Sequence, residues 1–227
     1  MDRFFEPQDT YMQNKALWRK DGLEYYTKFE EVVNISTHAI GGLLGLIGII
    51  FLLILSDNVF DYVASAFGGV IMTIPFIVST VYHSIRHPKA KKIARKIDHS
   101  CVGFVILGCG IPLALCLNAH IYNYVCIGIV FSIMLINLIL TQIDVNKFTK
   151  LEVILDLIAC VFFVACYFVN RSALSLESVI CYAVGSVLSL LALVFFCIKK
   201  QFFHAIFHLL SLLGTVCYYT AFIFILL

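Results

Sequence analysis

ISTHAIGGLLGLIGIIFLLIL, residues Ile35–Leu55, decides the fold. The run holds no Asp, Glu, Lys or Arg, and it is about long enough to cross a hydrocarbon core of roughly 30 Å as a helix. Inside a bilayer every backbone N–H and C=O must be satisfied within the span or in a closed barrel, and the polar/apolar alternation of a barrel strand is absent. Gly41, Gly42, Gly45 and Gly48 place small residues at close helical spacing, which permits tight packing on a neighbouring helix.

Outward from this run, comparable stretches follow at Tyr62–Tyr82, Cys101–Leu117, Tyr122–Thr141, Leu151–Val169, Val179–Ile198 and Phe202–Leu227. The third is short at its N-terminal end and is expected to begin near Asp98. The reading is all-α: an integral membrane bundle of seven transmembrane helices over residues 34–227, preceded by a cytoplasmic segment over 1–33. That segment shows no obvious fold; Trp18 and the aromatics around it lie on the headgroups or belong to a solvated tail. It has no apolar core of a cleavable signal peptide, so the first span is expected to act as a signal anchor.

Composition agrees. Hydrophobic residues make up 61% of the chain and charged residues 13%, against about 45–50% and about 25% in soluble domains. No single soluble core absorbs that excess. A net charge of +2 is too small for nucleic-acid binding. The nine cysteines all lie in apolar runs without CxxC spacing and read as small buried hydrophobes.

Orientation follows from the cations. Of the 16 Lys and Arg residues, Arg171 alone falls on one side; the others occupy the N-terminal segment and the connections between spans 2 and 3, 4 and 5, and 6 and 7. The positive-inside rule then puts the N-terminus in the cytoplasm and the C-terminus outside. The protein is expected in the cell membrane, which in a bacterium is the inner membrane.

The polar residues fall on this map independently of the cations. Ser79 and His83 close span 2, Asp98 opens span 3, His204 and His208 open span 7, and Glu31, Asn34 and His38 open span 1, all at the cytoplasmic face. His204 and His208, four apart, share a helix face and can clamp one metal. His83 could supply a third nitrogen, and three imidazoles plus a water is a catalytic zinc arrangement. Asp98 could hold that water or orient a histidine, and Ser79 could donate to a substrate oxygen. The plainer alternatives are histidines facing headgroups and an Asp98 that caps a helix or pairs with Lys96. His87 is expected to be solvated, and His99 to point away from Asp98's face. Glu152 is expected at the interface, and His120 on the opposite side. Asp156 is an intramembrane acid that is either functional or paired with a polar neighbour.

EEVVNISTH (Glu30–His38), STVYH (Ser79–His83), KIDH (Lys96–His99) and FHAIFHLL (Phe203–Leu210) occur in this order. Through them the chain, from about residue 28 to 225, resembles the hemolysin III family, the bacterial branch of the progestin and adiponectin receptor group. The resemblance implies a seven-helical fold with zinc on His83, His204 and His208, and with Ser79 and Asp98 as further motif residues. It also implies kinship to amide and lipid hydrolases. LEVILDLIACV (Leu151–Val161) departs from the usual pattern of the later spans. The leading expectation is a zinc-dependent hydrolase of a lipid amide or ester, with membrane lipid as substrate or ligand. A lipid sensor or receptor with structural zinc, and a membrane-damaging cytolysin, are the alternatives.

Overall fold

Thr27 starts the first long helix with a reciprocal cap. Its hydroxyl accepts the Glu30 N–H at 3.2 Å, and the Glu30 carboxylate accepts the Thr27 N–H at 2.9 Å. The computed structural model describes residues 6–20, 22–117 and 121–227, so His120 lies outside the described residues. In chain order the helices are α1 (Gln8–Lys20), α2 (Lys28–Leu55), α3 (Val59–Ser84), α4 (Pro88–Ser100), α5 (Val102–Leu115), α6 (Ile121–Val169), α7 (Leu176–Cys197) and α8 (Phe203–Leu226). Asn58 caps α3 and Ser175 caps α7, each side chain accepting backbone N–H groups of the first turn.

Six helical stretches are long and apolar enough to cross a membrane, α4 and α5 counting as one across the turn at Cys101. The outer surface is apolar: Ile54 is 72% exposed and Val161 68%. A soluble protein of this size does not carry such a surface, and a bilayer covers it.

α6 is folded back on itself. Asp144 leaves helical geometry (φ −159°, ψ 98°), and its carboxylate caps the next helical start by accepting the Asn146 and Lys147 N–H groups at 3.0 and 3.1 Å. The two halves then run side by side, with Asn137 bonded to Asp156 and Thr141 to Glu152. Along a straight helix, residues 19 positions apart would lie about 28 Å away from each other.

Close approach of α2 to α3 depends on glycine. A β-carbon at Gly41 would sit 2.3 Å from the Phe76 ring, and one at Gly45 would sit 2.4 Å from the Thr73 hydroxyl. α8 is tied to α3: Tyr219 donates to the Gly69 carbonyl at 2.6 Å and meets Thr73 at 2.8 Å. Interhelical packing and hydrogen bonds of this kind hold membrane helices together, because lipid offers no hydrophobic drive between them.

The packing is uneven along the bundle. Leu52, Ala64, Leu113, Tyr182 and Phe222 form a dry core toward one end. The Lys- and Arg-bearing segments gather at the other end. There Lys15 reaches the Lys199 carbonyl (2.7 Å), Arg95 reaches the Gly22 carbonyl (2.8 Å) and Asn146 (2.7 Å), and Lys96 reaches the Gln142 carbonyl (2.6 Å). The N-terminal segment is therefore folded, not a tail: α1 and the strap after it pack on the bundle, with Tyr11 and Leu23 buried. The basic stretch after α3 is also helix rather than loop, with Lys91 buried against Glu31 and Tyr82 and Arg95 buried against the strap.

The cysteines form no disulfide among the described residues. Cys101, Cys109 and Cys166 are buried as expected, but Cys197 is exposed, a position that lipid rather than protein would cover. Glu152 is buried within the protein, where Thr141 across the fold-back donates to it at 2.8 Å.

Candidate metal centre

The site is assembled at the basic end from the last turn of α3, the first turns of α8 and the first three turns of α2. Its most constrained element is the start of α8. Phe202 has a left-handed backbone (φ 66°), a conformation that costs a non-glycine residue about 1–3 kcal/mol. Its N–H donates to the buried Glu30 carboxylate at 2.6 Å. Glu30 thus caps α2 with one oxygen and fixes the entry to α8 with the other, which places His204 two residues later.

His83, His204 and His208 come together through their Nε2 atoms. The His204–His83 separation is 3.4 Å and the His208–His204 separation is 2.9 Å. One ligand atom from each lies within 4.8 Å of the others. Bare lone pairs so close repel unless a proton or a cation sits between them. Tetrahedral zinc with Zn–N of about 2.0–2.1 Å puts its nitrogens about 3.3 Å apart, so the donor set fits a metal ion.

The orientation of His83 is set from behind. Its Nδ1 meets a Glu31 carboxylate oxygen at 2.5 Å, and the other Glu31 oxygen accepts from the buried Lys91 ammonium at 2.7 Å. A carboxylate at Nδ1 fixes the proton there and leaves the Nε2 lone pair facing the site. Asn34 stands 3.4 Å from the same nitrogen. His38 stacks on His208 with ring centroids 3.7 Å apart, and both of its nitrogens are buried without partners among the described residues. Tyr26 stacks on His204 at 4.7 Å and closes the site from the strap side.

Beside the histidines lies a cavity of about 160 Å³, lined by His38, Ser79, Asp98 and His204 and continuing between apolar residues of α5, α6, α7 and α8. Ser79 is within hydrogen-bonding reach of the Asp98 carboxyl. Along this cavity the α6 and α7 backbones stand apart, bridged by Phe163 and Tyr167 against Tyr182 with ring centroids 5.6 and 5.8 Å apart, whereas α7 packs extensively on α8 and α5 on α6.

All eight residues singled out in the sequence therefore meet at one end of the bundle. His83, His204 and His208 face each other, Glu31 and Asn34 stand behind His83, His38 lies on His208, and Ser79 and Asp98 share the cavity wall. Three placements differ from expectation. Asp98 sits near the end of α4, not at a helix start, and Lys96 turns away to the Gln142 carbonyl. His99 also lines the cavity, edge-on to Phe196 at 5.8 Å, because the cavity is wide enough to meet two consecutive residues. His87 is exposed, as expected. Sequence reasoning missed Glu30, Lys91 and Tyr26. Only Glu30 had a local signal, the Thr-x-x-Glu cap.

The family model described as haemolysin-III related matches residues 26–219. The "Hemolysin-3 homolog" of Bacillus subtilis (strain 168) is 29% identical over 203 residues, covering 88% of this chain and 95% of that protein. The "Hemolysin-3" of Bacillus cereus is 29% identical over 196 residues, covering 82% and 87%. The match runs from the strap before α2 into α8 and takes in the whole histidine cluster, and this multi-pass membrane protein belongs to the haemolysin-III related family.

Proposed function

We propose that the chain is a zinc-dependent hydrolase of a lipid amide or ester, working at the inner leaflet of the cell membrane. The observation that carries this reading is the cavity beside the histidine cluster: His204, the Asp98 carboxyl and the Ser79 hydroxyl at one end, apolar walls beyond them, and a side where the α6 and α7 backbones stand apart. A lipid chain can enter such a gap from the bilayer without meeting water. The fold-back at Asp144 turns α6 into two crossings and the total into seven. The basic end then faces the cytoplasm by the positive-inside rule, with the C-terminus outside.

His83, His204 and His208 would hold the metal. Zinc bound there supplies Lewis acidity, polarising a carbonyl and making water a nucleophile at about neutral pH. Asp98 accepts the proton as the water oxygen bonds to the carbonyl carbon. It returns that proton to the departing amine or alkoxide as the old bond breaks. Ser79 orients the Asp98 carboxyl toward the reacting atoms, and the apolar wall keeps bulk water away.

The test is metal content with turnover. Purified protein should carry about one zinc per chain, and His204→Ala/His208→Ala should carry none. Asp98→Asn should keep the zinc and the unfolding temperature while lipid amide or ester turnover falls about 10²–10⁴-fold. Well-folded protein without zinc overturns the reading.

The second reading is a lipid sensor in which zinc only ties helices together. Tyr26 on His204 and Lys91 on Glu31 favour it, since they join the strap and α4 to the site. It predicts that His83→Ala unfolds the protein while Asp98→Asn changes nothing. The relatives' names speak of haemolysis; a pore would require conductance in pure lipid bilayers, and none is expected.

A further inference from the structure

Asp156 is the acid that the proposed chemistry does not use. It stands on the second half of α6, one turn beyond Glu152, and both face the first half across the fold-back. Their surroundings then diverge. Glu152 accepts a hydrogen bond from Thr141 and lies outside the cavity wall. Asp156 lines the cavity together with Cys160, Phe163 and Val164, one face of the helix.

Among the described residues, Asp156 receives one side-chain hydrogen bond, from Asn137 Nδ2 at 2.8 Å, and no Lys or Arg pairs with it. Asn137 is itself pinned by a longer bond of 3.4 Å to the Glu152 carbonyl, and its Oδ1 is buried without a partner. A carboxyl offers about four acceptor sites. One donor leaves it under-satisfied in an apolar setting, where an acid normally faces a pathway or a partner. A molecule in the cavity can supply a further donor to its open acceptor sites.

We propose that Asp156, backed by Asn137, is a ligand-binding site that recognises a hydrogen-bond donor, an amino or hydroxyl group, on a long-chain amphiphile in the cavity. The site lies near the reacting end. Asp156 Oδ1 is 3.4 Å from where a β-carbon would stand on Gly103. Gly103 follows Asp98 by five residues across the turn at Cys101. The recognised donor therefore sits several bonds from a carbonyl held at Asp98. This rests on the cavity being a lipid pocket, but not on zinc or hydrolysis.

Calorimetric titration of the purified full chain with oleylamine, oleyl alcohol and methyl oleate tests it. Wild type should bind the amine and the alcohol about tenfold or more tightly than the ester. Asp156→Asn keeps size, acceptor and the bond from Asn137; it should lose the amine preference and keep much of the alcohol preference. Asp156→Leu should lose both while ester binding is unchanged. Asn137→Ala retains the carboxyl and should retain the amine preference. Equal binding of all three probes by wild type overturns the proposal, as does an unchanged ranking in folded Asp156→Asn, which carries the test if Asp156→Leu does not fold. Failure of the lipid-pocket reading looks different: no probe binds wild type, which overturns both. Selective binding without zinc or turnover supports this site and counts against the hydrolase alone.

Discussion

Glu31 shows how much of the centre depends on one side chain that touches no metal. It joins α2 to α3 through His83 and to α4 through Lys91, and it decides which nitrogen of His83 carries the proton. Glu31→Gln keeps the shape but removes the charge that favours the Nδ1 proton. Metal affinity should then fall about 10–100-fold, with the three histidines intact; competition with a zinc chelator reads this directly, and an unchanged affinity would deny Glu31 its orienting role. At this scale the sequence reveals groups that repeat with the helix. His204 and His208 are legible because four positions make one face. Glu31 and His83 are 52 positions apart, and only the crossing of α2 over α3 pairs them. His99 was misjudged because helical phase says which way a residue points, not how wide the space opposite is.

Helices pack here through what they leave out. Gly41 stands where any side chain would enter the Phe76 ring, so Gly41→Ala should lower stability by about 1–3 kcal/mol, the ordinary cost of overpacking. Gly128 has nothing within 4 Å of its would-be β-carbon. Gly128→Ala should be neutral or slightly favourable through helix propensity. Thermal unfolding of the two variants in the same detergent separates the cases, and equal shifts would refute the packing account. The apolar runs were legible since a bilayer demands a minimum length of them. α1 and α4 were not: they are polar and short, and their buried faces answer to protein instead of lipid. The doubling back at Asp144 was readable as two apolar stretches with a polar joint, but its continuous helical run was not.

The strap that carries Tyr26 onto the site is held by charge at the level of the whole molecule. Burial alone would raise the Glu24 carboxyl, but the Lys199 ammonium at 2.9 Å and the Arg95 guanidinium at 3.4 Å hold it well below the usual carboxylate range. A depressed carboxylate adds stability above its unfolded pKa of about 4.5, and that stability is lost as the pH falls through the lower folded value. Limited proteolysis across an acid titration should show the strap protected at neutral pH and released below about pH 4.5. In Glu24→Gln it should be more exposed at neutral pH and should lack that acid step; identical profiles would remove Glu24 from the clasp.

The order in which the chain supplies the histidines has a consequence for biosynthesis. His83 leaves the ribosome early, whereas His204 and His208 stand on α8, which follows every other helix. Segments are made from the N-terminus onward, so no nascent intermediate can gather all three imidazoles. On the proposed metal-binding reading, capture by all three imidazoles has to wait until α8 settles against α2 and α7.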